Sequence, residues 1–261
     1  MPDVATDDRE IITKAVREMY TAVASRPEAT YHFPTGRRAC EHVGYPAAVL
    51  DALPGAAVES FAGVGYPFAA DVIRAGDTVL DIGSGSGTDV IHAAMLVGSS
   101  GRVIGLDLTA AMREKCARNA AAHGLTNVEV IEGHAEQIPL PDASVDVVTS
   151  NGVINLVPDK ALAVREIYRV LRPGGRVQLA DIVVATLPSA SCRAQPELWA
   201  ECIVGAVKED DCTALFRAAG FVNVESLSGL DYFAASESAH TRETAGGFGA
   251  HTMVMRAHKP A

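Results

Sequence analysis

Two hydrophobic periods alternate along most of this chain. Short apolar runs without helical spacing recur at 78–82, 103–107, 128–131, 145–149, 176–182, 222–227 and 252–256, and each predicts a strand. The first run lacks polar alternation, the pattern of a strand buried on both faces. Between and after them, apolar positions three and four apart predict helices over 89–97, 109–123, 158–171, 197–207 and 210–219. Strand-helix alternation calls for right-handed crossovers and a parallel sheet, with any ligand at the carboxyl ends of the strands. The fold class is therefore α/β, with helices on both faces of a seven-stranded sheet. Ahead of the sheet, Ile11, Ile12, Ala15, Val16, Met19, Tyr20 and Val23 fall at helical spacing and predict a capping helix over 8–24. Residues 31–67 hold repeated Pro and Gly breakers and read as irregular covering chain. The expected division is a cap over 1–70 and an α/β core over 71–261.

The densest chemistry follows the first strand, in Asp81-Ile-Gly83-Ser84-Gly85-Ser-Gly87. Such a turn admits positive φ and close backbone approach, and the helix after it points its N-terminus back at the turn. A dinucleotide fingerprint needs a third glycine at its sixth position, but Thr88 stands there, which weighs against a nicotinamide dehydrogenase. Asp81 at the strand tip would repel a phosphate and suits a cationic or hydroxyl-bearing ligand. Asp107 closes the second strand 20 residues beyond Gly87, where a carboxylate can accept both ribose hydroxyls. The turn, Asp107, residues 134–136, residues 150–155 and Asp181 fall along one rim.

Composition narrows the partners. Over 261 residues, 48% hydrophobic and 21% charged content describes a globular chain with a filled core. A net charge of −10 and no basic run longer than Arg37-Arg38 argue against nucleic acid as a partner. The acidic first residues lack an apolar signal core and no long apolar stretch occurs, so a cytoplasmic protein without membrane association is expected, as monomer or homodimer. Five cysteines, at 40, 116, 192, 202 and 212, are expected as reduced thiols, with no metal site among them.

The stretch Val79-Leu-Asp-Ile-Gly-Ser-Gly-Ser-Gly87 resembles the first motif of the class I S-adenosylmethionine-dependent methyltransferases. That resemblance implies a Rossmann-like, mostly parallel seven-stranded sheet with an N-terminal helical cap, and S-adenosyl-L-methionine as cofactor. It implies donor contacts from Asp81, Gly83, Ser84, Gly85, Gly87, Asp107, Leu108, Met112 and Asn151. It also implies that the loop at Ala135 and Glu136 brackets the adenine.

Further stretches resemble arsenite methyltransferases: Tyr66-Pro67 after Gly-x-Gly, Gly105-Leu-Asp-Leu-Thr109, Ser150-Asn-Gly-Val-Ile-Asn-Leu156, Tyr168-Arg-Val-Leu-Arg-Pro-Gly-Gly175 and Leu198-Trp-Ala-Glu-Cys-Ile-Val-Gly-Ala206. That family binds trivalent arsenic through cysteine thiolates. Here Val64 and Gly152 stand at two of the resembled positions and only Cys202 remains. One thiolate does not make a three-sulfur cage, so the expected reaction is in-line methyl transfer to a small organic acceptor in an enlarged, less polar pocket. Arsenite methylation with a rearranged cysteine set, with Cys40 moving in, is a second reading, and a non-catalytic donor-binding protein is a third. The residues named for catalysis are Asn151, Tyr31, Cys202 and Trp199; His32, Arg37, Asn155, Asp181 and Glu201 complete the candidates to orient or deprotonate the acceptor.

Overall fold

The computed structural model describes residues 6–189 and 204–261. Seven strands form one sheet in the order β3-β2-β1-β4-β5-β7-β6. They are β1 (Thr78–Ile82), β2 (Arg102–Asp107), β3 (Val128–Glu132), β4 (Val145–Asn151), β5 (Leu171–Val183), β6 (Val222–Leu230) and β7 (His251–His258). The pairs β3-β2, β2-β1, β1-β4 and β4-β5 are parallel, whereas β7 runs antiparallel to both β5 and β6. The order reverses between β1 and the β4 side, which opens a crevice at the carboxyl ends there.

The described helices are α1 (Thr6–Ser25), α2 (Gly36–His42), α3 (Ala47–Ala52), α4 (Gly55–Val58), α5 (Thr88–Val97), α6 (Ala110–Ala122), α7 (Lys160–Val170), α8 (Glu209–Ala218) and α9 (Ala239–Phe248). Central strands are apolar on both faces because helices cover both. Val79, Leu80 and Ile82 are buried; Val79 packs with Val90 and Val97 of α5, while Leu80 and Ile82 pack with Ala163 and Ile167 of α7. No described helix is long and apolar enough to cross a membrane.

Two expectations are corrected. Residues 31–67 are not irregular: they hold α2, α3 and α4. Their breakers sit at helix starts, with Pro46 and Pro54 as N-caps of α3 and α4, where a missing N–H costs nothing. Pro173-Gly-Gly175 does not precede the fifth strand but lies within β5. The ladder to β4 shifts register between the pairs Val145–Leu171 and Val147–Arg176 to accommodate it. Most of the helix expected over 197–207 lies outside the described residues, and at its end Val207 bridges Val183. The helix α9 carried no usable period, since Ala245 is its only buried residue.

Candidate functional site

The turn after β1 is fastened to β2 by its own backbone. The Gly83 and Ser84 N–H groups both donate to Leu106 O, at 2.7 and 3.0 Å. Gly83 has φ +76°, and a Cβ there would lie 2.3 Å from Val153 Cγ2, so only glycine fits. At Gly85 the space is instead open: the nearest atom to an added Cβ is Gly83 O at 3.9 Å. That glycine leaves room for something to lie on the turn.

Asp107 is clamped through both carboxylate oxygens. Gly85 N–H donates to Oδ2 at 2.9 Å and Thr109 N–H to Oδ1 at 2.8 Å. Burial raises its pKa, and these amide bonds oppose the rise. Asp81 lies deeper, 1% exposed, and its Oδ2 has no hydrogen-bond partner. Burial, then the neighbouring Asp89 and Asp107 carboxylates, hold its pKa well above the usual carboxylate range. An orphaned buried carboxylate beside an open glycine floor fits a ligand with positive charge and donor groups.

Nine of the residues expected at the donor site line one cleft: Gly83, Ser84, Gly85, Asp107, Leu108, Met112, Ala135, Glu136 and Asn151. The cleft holds about 1030 Å³, open mouth included. Asp81 and Gly87 do not line it. Asp81 is beneath the floor, and Gly87 caps α5 with Cys116 Sγ 3.0 Å from where its Cβ would sit. Glu136 lines the cleft, yet its Oε1 accepts from Asp159 N–H at 2.7 Å and from Arg9 at 3.3 Å, tying the first helix to the loop after β3.

The residues expected on the acceptor side fare differently. The Asn151 side chain is a clasp: Oδ1 accepts from Val64 N–H and Gly65 N–H at 2.8 and 3.2 Å, while Nδ2 donates to Gly65 O at 3.0 Å. Tyr31 is not at the site; its hydroxyl donates to Arg26 O at 2.9 Å and its ring stacks on Phe33. His32 also packs against Phe33, and Arg37 pairs with Glu41 and Asp51 at the surface. Asn155 and Asp181 are buried and bonded to each other, outside the cleft lining. Trp199, Glu201 and Cys202 lie outside the described residues. Val64 and Gly152 face each other, an added Cβ on Gly152 lying 3.3 Å from Val64 Cγ1; Gly152 lines the cleft and Val64 is buried behind it.

The sequence reading missed Asp89, Phe61 and the α1 residues Thr13, Val16 and Tyr20 as cleft lining, and Tyr45 just behind it. Asp89 stands two residues after Gly87 and gave a signal that was read only as a helix start. The others come into place through contacts distant in sequence.

A methyltransferase-domain family profile matches residues 73–220, from before β1 through α8. The chain belongs to the class I S-adenosylmethionine-dependent methyltransferases. Within curated proteins, this chain is 42% identical over 163 residues to an arsenite methyltransferase of Halobacterium salinarum, covering 62% of this chain and 42% of the relative. It is 39% identical over 120 residues to the ubiquinone/menaquinone biosynthesis C-methyltransferase UbiE of Hahella chejuensis, covering 46% and 48%. The chain thus spans less than half the length of these curated relatives. Among solved structures it is similar to CrArsM, an arsenic(III) S-adenosylmethionine methyltransferase from Chlamydomonas reinhardtii, with TM-score 0.60 and 31% identity over 87% of this chain and 75% of that one. The [4+2]-cyclase SpnF shares the fold at TM-score 0.64 and 18% identity, over 95% and 97% of the two chains.

Proposed function

We propose that this protein transfers the methyl group of S-adenosylmethionine to a small organic acceptor. When bound, the donor supplies an activated methyl on a positively charged sulfur, open to in-line displacement. The single observation that carries the reading is Asp107, fixed by two backbone amides at the edge of an open glycine floor, where it accepts sugar hydroxyls without further rearrangement. Gly83, Ser84 and Gly85 provide the floor, Leu108 and Met112 pack the base side, and Ala135 and Glu136 close it. Residues 1–70 act as the cover, with α1 as one wall, and 71–261 as the donor-binding core. The work left to the chain is alignment of the acceptor and exclusion of water, for which Phe61, Gly63, Val153 and Leu156 supply an apolar wall. The net charge supports a small molecule over nucleic acid, and a cytoplasmic monomer or homodimer remains the expected form.

Arsenite is the second reading, favoured by the named relatives. Against it, Val64 and Gly152 occupy the resembled cysteine positions, and among the described residues no cysteine lines the cleft. Cys40, Cys116 and Cys212 are buried, and burial pushes the thiols of Cys116 and Cys212 up to about 12 and that of Cys40 higher still, the reverse of a thiolate ligand set.

Calorimetry with S-adenosylmethionine tests donor binding, and absence of binding removes the proposal. Incubation with methyl-labelled donor and fractionated small metabolites, with arsenite as a parallel arm, then reads the acceptor. Label in an organic product supports the proposal, label in methylated arsenic overturns the acceptor class, and binding without product leaves a donor-binding protein.

A further inference from the structure

The acceptor end of the cleft contains a buried acid that the proposed donor contacts do not use. Asp89, in the first turn of α5, lines the cleft and is 6% exposed. The Tyr45 hydroxyl donates to its Oδ1, and Asn151 Nδ2 donates to its Oδ2 at 3.0 Å and to the Tyr45 hydroxyl at 3.1 Å. The same Asn151 clasps the loop at Val64 and Gly65. Tyr45 and Asn151, far from each other in sequence, thus hold one carboxylate at one point of the wall.

Neutral donors satisfy this acid, and among the described residues nothing neutralises it. Among the described residues, no lysine or arginine is ion-paired or hydrogen-bonded to Asp89 or Asp81. Among the described residues, the groups that interact with Asp89 are Tyr45, Cys40 of α2, Asp81 of β1, Tyr66 and Asn151, while His92, one turn along α5, packs against Tyr66 and Phe68. His92 is held neutral, its pKa pushed down to about 4 by burial, so it offers no counter-charge. A buried carboxylate without a cation is costly in its charged form, and a positively charged ligand lowers that cost where a neutral one does not.

We propose that Asp89, fixed by Tyr45 and Asn151, is a specificity-determining residue that makes the cleft favour the sulfonium donor over the neutral thioether it becomes after transfer. This rests on the methyl-donor reading and deepens it. S-adenosylmethionine and S-adenosylhomocysteine share every other charged group, so the difference between them isolates the charge on sulfur. Burial pushes the Asp89 carboxyl up to about 6, against the lowering effect of its two donors. The preference is therefore full above that pH and fades below it, and donor binding near pH 6 releases protons.

The test is calorimetry of both ligands on the full chain, for wild type, Asp89→Asn and Tyr45→Phe, at pH 7.5 and 5.5. In Asp89→Asn the donor is expected to weaken about tenfold or more at pH 7.5 and the thioether to change less than about threefold. In wild type, lowering the pH weakens the donor alone. In Tyr45→Phe, loss of the hydroxyl raises the Asp89 pKa, so the donor-specific pH dependence moves upward. Equal weakening of both ligands, or an unchanged donor, overturns the inference. Should Asp89→Asn fail to fold, the Tyr45→Phe pH midpoint decides, and an unshifted midpoint overturns it. Failure of wild type to bind either ligand instead removes the methyl-donor reading itself.

Discussion

The proposed donor half and the proposed acceptor half of the cleft are built by different means. On the donor side, Gly83, Ser84, Gly85 and Thr109 make their contacts through backbone amides, to Leu106 and Asp107 only about two dozen residues away or fewer. On the acceptor side, side chains do the holding across long stretches: Asn151 reaches Tyr45, Asp89, Val64 and Gly65. A site built of backbone tolerates change in every side chain except those that set φ or carry charge. One built of clasped loops can be reshaped by a single substitution without disturbing the sheet.

Asp107→Ala should separate the halves most clearly. It removes the proposed sugar acceptor and leaves the Gly85 and Thr109 N–H groups unsatisfied, for an expected loss of about a hundredfold or more in donor affinity by calorimetry. Gly83→Ala forces a side chain into positive φ and onto Val153, with an expected loss of about 3 kcal/mol in chemical denaturation. Asn151→Ala should cost about 2 kcal/mol, and hydrogen exchange should quicken at residues 63–65 while the 83–87 turn stays protected. An equal rise in exchange at both places would erase the distinction between the halves.

A smaller effect concerns pH. Burial among Tyr66 and Phe68 pushes the His92 pKa down to about 4, below its unfolded value of 6.5. The unfolded chain then takes up a proton that the folded chain refuses, so this residue removes stability as pH falls, about 2 kcal/mol between pH 7 and 5. Asp89 and Asp181, both raised to about 6, act in the opposite sense, gaining stability over the same range. The contrast of wild type with His92→Phe isolates the histidine: the variant should lack that loss in denaturation at the two pH values. Smallest of all, Arg9→Ala removes half-exposed ion pairs from α1 to Glu136 and Asp159. It should cost under about 1 kcal/mol, while donor release quickens in stopped-flow displacement.

The same division explains what could be read in advance. Strand positions, the turn and Asp107 follow from local patterns, because a buried parallel strand must be apolar and a turn against it must be glycine. The helices of residues 36–58 were hidden because their prolines, read as breakers, serve as caps. Tyr31 looked available as a rim tyrosine, but its hydroxyl is spent on Arg26 O. Asn151 holds the loop at 64 and 65 as well as lining the cleft, and Tyr45, its partner, lies 106 positions away with no local mark. Long-range pairs of that kind carry no period to find.

The helix α1 contributes Thr13, Val16 and Tyr20 to the chamber while supplying no strand. It is seated by burial of Ile12, Val16 and Val23 in the core and by polar contacts at both ends, Arg9 to Glu136 and Lys115 Nζ of α6 to Ala24 O at 3.2 Å. One wall of the chamber is therefore a panel outside the sheet, exchangeable for a segment that keeps the buried Ile12 and Val23. Grafting a different segment over residues 6–25 would redraw the range of accepted molecules while the machinery that grips the methyl source stays in place.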